Sequence, residues 1–196
     1  MRKSVWIIAV LFVVIGAPAS HAGSITYKNS DIATGSIGDR TFAGALVTIT
    51  IVGNTSNVTT FGSGIFANVG PGTVTISGIG TFSFEDVVGS FVNQGLSQAG
   101  IVDFTDEGFG ILGTGNSAFA TYGLTTAIGP ISGTGLFNPE LGFSTTDGSL
   151  IFSEVGPDST FTATTSTSAT PEPSSLLLFG TSLLGLVPFR RKLFGR

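Results

Sequence analysis

The chain has 196 residues, no cysteine, a single histidine (His21) and a formal net charge of −4. A thiol nucleophile and a disulfide framework are excluded, and with them the usual imidazole base and most transition-metal sites beyond His21. The charge is uneven: residues 23–170 carry eleven carboxylates against Lys28 and Arg40, a net of −9, which excludes nucleic acid and anionic membrane surfaces as partners of that segment.

The chain opens with "MRKSVWIIAVLFVVIGAPASHA". Arg2 and Lys3 precede an apolar run from Val5 to Ile15, and Gly16 and Pro18 then break it. Ser20 and Ala22 occupy the −3 and −1 spacing of a cleavage site, so residues 1–22 read as a secretory signal peptide. Cleavage is expected after Ala22, with Ala19 as the second choice and an uncleaved anchor as the competing reading. His21 leaves with the signal.

Residues 23–170 form one domain's length, enough to bury a core without disulfides. Gly and Thr each supply 25 of these residues and Phe 13, while the helix formers are scarce. Period-two alternation is plain in "ALVTITIV", where Val47, Ile49 and Ile51 oppose Thr48 and Thr50. It recurs in "TVTIS" and "GTFSFE", and again around Phe161 and Ala163. Strands are expected near 24–27, 43–52, 57–61, 73–77, 80–85, 87–92, 100–104, 131–137, 149–153 and 159–165. "GNSAFATYG" is expected to form one helical turn, capped by Asn116 or Ser117. The fold class is all-β, an antiparallel two-sheet sandwich of jelly-roll type over 23–164, with Phe filling the space between the sheets. A Ser/Thr-rich linker, 165–170, follows.

Three patterns bear on chemistry. "DFTDEG" gathers Asp103, Asp106 and Glu107 into a loop-like segment, a candidate calcium site weighed against a solvated acidic turn; no other cofactor is expected. "GFGILG", Gly108 to Gly113, fits a G-x-G-x-x-G string but lacks the following helix and the distal acidic residue, so it reads as a turn. Flat threonine arrays can order water toward ice, but the Thr-x-Thr pairs at Thr48/Thr50, Thr73/Thr75 and Thr162/Thr164 follow no fixed repeat and read as β-propensity on solvent faces. Carboxylate-pair hydrolysis remains formally open through Glu85, Asp86, Asp103, Asp106, Glu107 and Glu140. The body, however, has no Trp or His with which to grip a sugar, and Lys28 reads as a solvated surface residue rather than a base. The expectation is a non-enzyme.

The chain ends in "TPEPSSLLLFGTSLLGLVPFRRKLFGR". Leu176 to Phe189 is uncharged but broken by Gly180, Gly185 and Pro188. As a helix it would measure about 21 Å, short of a roughly 30 Å hydrocarbon core. A short hydrophobic helix over 174–189, with the basic cluster Arg190, Arg191 and Lys192 on the cytoplasmic side, gives a strained or temporary span. Pro171-Glu172-Pro173, the Leu/Gly-rich run and the basic cluster together resemble the tail of the PEP-CTERM protein-sorting family, which also goes by the name of an ice-binding protein C-terminal domain. Thr170 stands where a small or aliphatic residue is usual. The resemblance, over 171–196, implies export, transient membrane insertion and processing near Pro171–Pro173 by an exosortase-type membrane enzyme, in bacteria that make exopolysaccharide.

The expectation is therefore an exported, non-enzymatic component of the cell envelope or extracellular matrix, with extracellular polysaccharide as a candidate partner. A carbohydrate-, adhesion- or ice-binding module is the alternative, and a carboxylate-dependent hydrolase the more remote one.

Overall fold

The computed structural model describes residues 23–105, 109–139 and 141–166. Thirteen strands run through them: β1 (Ser24–Ile37), β2 (Arg40–Asn54), β3 (Thr59–Thr60), β4 (Ile65–Val69), β5 (Gly72–Ile76), β6 (Gly80–Ser83), β7 (Val88–Asn93), β8 (Gln98–Asp103), β9 (Phe109–Gly115), β10 (Ile128–Phe137), β11 (Gly142–Thr145), β12 (Gly148–Val155) and β13 (Asp158–Ser166). The protein is all-β and antiparallel, as its composition requires. One 3-10 turn, Ser117–Thr121, falls on the expected helical stretch, with the Asn116 side chain accepting from the Ala118 amide as N-cap.

The two expected sheets are one. Hydrogen bonding runs unbroken in the order β3-β4-β7-β8-β9-β10-β13-β1-β2-β5-β6, with β12 also on β1 and β11 on β12. The sheet curls as a half-barrel, so that β1 and β2 pack against β4, β7, β8 and β9 across the interior. The physical reason is that β10 and β13 are paired along both edges, β10 to β9 and β13, and β13 to β10 and β1, which leaves no break between the two walls. The long β1–β2 hairpin is registered from Ser24↔Asn54 to Ile37↔Arg40. Its two-residue loop, Gly38-Asp39, places Gly38 at φ +52, the positive dihedral that a tight hairpin needs at its first central position. Along β1 the partner changes: Ser24 to Ser30 pair with β13, whereas Ala33 to Ile37 pair with β12.

Inside the curl, β1 turns Ile25, Tyr27, Asn29, Asp31 and Ala33 inward, all buried, while β2 supplies Val47, Ile49 and Ile51. Phe119, Tyr122, Tyr27 and Phe161 form one aromatic nucleus, in which Phe119 meets Phe161 edge-on at 5.5 Å. Phe42 and Phe152 form a second edge-on pair at 6.2 Å. Each fully buried ring contributes on the order of 2–3 kcal/mol by leaving water. The reading of phenylalanine as core therefore holds for these residues. Phe61, half exposed and stacked on Phe104, is a surface exception.

The strands β3, β4, β9 and β11 differ from expectation. The stretch read as a glycine turn is β9, paired with both β8 and β10. β4 and β11 were not anticipated, and the expected strand at 57–61 reduces to the two residues of β3.

Candidate functional site

Most carboxylates in the described body serve the fold. Asp103 closes β8 and is 5% exposed; its Oδ1 accepts from the Thr105 amide at 2.7 Å, so it caps its own turn. Its two expected partners in a calcium site, Asp106 and Glu107, lie outside the described residues, as does Glu140. Glu85 and Asp86 both reach β11. Glu85 Oε2 accepts from Ser144 Oγ at 3.2 Å, and Asp86 Oδ2 accepts from the Ser144 amide at 2.5 Å. Two adjacent carboxylates thus clasp one serine and tie the β6–β7 connection to β11. Asp147 pairs with Arg40, whose guanidinium also lies over Phe82 at 4.9 Å.

The buried polar groups form two hydrogen-bonded clusters in the interior. Tyr27 Oη donates to the Leu124 carbonyl at 2.6 Å and accepts from Asn68 Nδ2 at 2.7 Å. Burial pushes the Tyr27 phenol up to about 12, partly offset by the Asn68 hydrogen bond, and burial raises Tyr122 as well. Asn29 Nδ2 donates to Thr114 Oγ1 at 2.9 Å; that hydroxyl lies 2.6 Å from Ser159 Oγ, which in turn donates to the Gly113 carbonyl. Such a chain fixes every member's orientation and leaves no free nucleophile within it.

The outer face is different in kind, and register explains what spacing alone concealed. Opposite one another across six strands stand Ser132, Thr160, Ser30, Thr48, Thr75 and Thr81. Adjacent members are bonded as well as aligned: Ser132–Thr160 at 3.2 Å, Ser30–Thr48 at 2.9 Å and Thr75–Thr81 at 2.8 Å. A second row, two residues along, runs Thr162, Lys28, Thr50, Thr73 and Ser83. Lys28 is exposed within it, flanked by two threonines. The three Thr-x-Thr pairs, scattered in sequence, therefore converge on one surface. Strand pairing sets the spacing, about 4.8 Å between strands and about 6.7 Å along them. No carboxylate stands in either row, although the body is strongly acidic. Such a surface can exchange hydrogen bonds with water or with uncharged hydroxyls, since each side-chain oxygen both donates and accepts.

A shallow groove of about 280 Å³ lies on the other half of the outer face. Phe91, Gly100, Gly113 and Leu136 are consecutive partners across β7, β8, β9 and β10, and of these Phe91, Gly113 and Leu136 line the groove, an aromatic and an aliphatic wall beside a glycine.

The expected signal cleavage residues Ser20 and Ala22, the sorting residues Pro171, Glu172 and Pro173, and the basic cluster Arg190, Arg191 and Lys192 lie outside the described residues. The body does show where these segments attach. Ser24 pairs with Ser166, and Gly23 and Thr55 exchange hydrogen bonds, so both ends of the described body lie on neighbouring strands. In comparison with known families, residues 169–192 match the PEP-CTERM protein-sorting motif. No curated protein and no solved structure matches the chain.

Proposed function

We propose, from the premise that residues 169–192 are a PEP-CTERM protein-sorting motif, that the chain is a non-enzymatic surface or exopolysaccharide-matrix protein. The motif itself implies export and sorting through an exosortase system. The three-part order of Pro-Glu-Pro, apolar run and basic cluster carries the reading. The use of Asp103, Glu85, Asp86 and Asp147 as structural acceptors supports a non-catalytic body. The deciding measurement is the intact mass of the protein recovered from envelope and medium. Loss of Met1–Ala22 and of everything after about Pro173 is expected. A chain still ending at Arg196 in the membrane fraction would overturn processing.

The hydroxyl rows favour a second reading, a module that contacts an uncharged hydroxylated surface, whether polysaccharide or ice. Replacing Thr48 and Thr75 by valine keeps β-propensity and shape while deleting the hydroxyls from the centre of the six-strand row. Under this reading the full-length chain is retained by insoluble neutral polysaccharide or by growing ice, and the double variant loses at least tenfold in retention with its thermal midpoint nearly unchanged. Equal retention of the two proteins would leave the rows as ordinary solvent-facing strand surface.

A further inference from the structure

Asp31 stands at the point where β1 exchanges one partner for another. It follows the last residue paired with β13 and precedes Ala33, the first paired with β12. The β12–β13 connection folds over it: the Gly156 amide donates to both the Ile32 carbonyl, at 2.7 Å, and Asp31 Oδ1, at 3.1 Å. Oδ2 has no donor among the described residues, and the side chain is 2% exposed.

The surroundings of Oδ2 are acceptors and glycine. A methyl on Gly135 of β10 would lie 2.6 Å from Oδ2 and would also collide with the Gly156 carbonyl oxygen, so these two oxygens crowd the same side of Gly135. A methyl on Gly156 would lie 2.8 Å from Oδ1. The cradle is too tight for a hydrated cation or a coordinating shell. Asn29, the next inward residue on β1, contributes a second orphaned acceptor, Oδ1; its amide is engaged with Thr114, which pairs with Gly135.

The charges facing Asp31 do not help it. Asp158 on β13 adds repulsion, β10 carries no ionisable group, Glu154 on β12 is exposed, and Lys28 on β1 points to the opposite face. Arg40 on β2 is engaged with Asp147. A carboxylate here would be a buried charge without a counter-ion, beside a carbonyl oxygen that repels it.

We propose that Asp31 is a proton lock on the β1 joint. In the native fold it is the neutral acid, its Oδ2–H serving an acceptor beside Gly135, and its ionisation loosens the β12–β13 connection from β1. Burial, the largest cause, raises the acid from 3.8 to about 6, against the opposing effect of the Ile32 and Gly156 amides. The native state therefore holds the proton more tightly than the unfolded chain does. The stability that the Asp31 proton contributes is full below about pH 4, declines as pH rises from about 4 through 6, and levels off above that. A displacement of about two pH units corresponds to roughly a hundredfold change in the unfolding equilibrium.

Two measurements on the full-length chain test this. Thermal unfolding between pH 4 and pH 8 should show a midpoint that falls through pH 6. Asp31→Asn, uncharged at every pH and able to donate from the same place, should flatten that fall. A wild-type midpoint level across this range, or an unchanged slope in the variant, overturns the proposal. Should the variant fail to fold, the carboxyl ¹³C resonance of Asp31 in the wild-type chain decides: a titration midpoint near 6 supports the lock, and one near 4 removes it.

Discussion

The interior of this half-barrel is decided by single hydrogen-bonding groups. Tyr27 illustrates the cost. Its hydroxyl both donates to Leu124 and accepts from Asn68, whose Nδ2 also reaches the Asn54 carbonyl. Tyr27→Phe keeps the ring in the aromatic nucleus but strips the Leu124 carbonyl of its side-chain donor and weakens the tie between β1 and β4. A loss of about 2 kcal/mol is expected in urea unfolding, because an unsatisfied buried acceptor costs about 1–3 kcal/mol. A loss below about 0.5 kcal/mol would mean that water replaces the hydroxyl. The same burial predicts a spectroscopic result: with Tyr27 raised to about 12 and Tyr122 raised too, the phenolate absorbance of the body should not develop until unfolding begins in strong base.

At the scale of elements, β9 is the instructive strand. Its outward positions Gly110, Gly113 and Gly115 carry no side chains, so the period-two signal that revealed β2 and β5 was missing, and the glycine string read as a turn. Yet those glycines are not equivalent, nor is their partner Gly100 on β8. A methyl on Gly100 would collide with the Leu112 carbonyl, lie 2.6 Å from Gly113 Cα and press on Phe91 at 3.0 Å, whereas a methyl on Gly110 meets nothing within 4 Å. Gly100→Ala should therefore cost about 2–3 kcal/mol by overpacking against backbone, while Gly110→Ala should change stability by less than about 1 kcal/mol. Comparable losses at both positions would show that glycine serves backbone freedom here, and not close approach. β1 was under-read for a related reason. Its inward residues Asn29 and Asp31 are polar, so hydrophobic alternation fades after Tyr27 although the strand runs on to Ile37. The threonine pairs were visible in sequence, but their convergence was not, because only cross-strand register places Thr48 beside Thr75 and Ser30 beside Thr160.

For the molecule as a whole, the sequence divides cleanly between address and body, and the body's architecture accounts for how one could be removed without harming the other. Every buried apolar residue of the described core falls between Ile25 and Ala163, and β13 completes its ladder to β1 at Ser166. Removal of residues 167–196 therefore takes away none of the described core contacts or strand pairings. The thermal midpoint of a chain ending at Ser166 should lie within about 2 °C of that of the processed protein, since surface truncation away from packing and hydrogen-bonded backbone has little effect on stability. Export should respond in the opposite way. The same truncation removes the whole of 169–192, so, with residues 1–22 acting as the expected secretory signal, the body should still leave the cytoplasm but lose sorting to the cell surface. A truncated body that still accumulates at the surface in wild-type amounts would place the retention determinant in the β-domain. The exposed hydroxyl rows would then be the first place to seek it, because they offer a broad array of hydrogen-bonding groups to an uncharged, hydroxylated matrix.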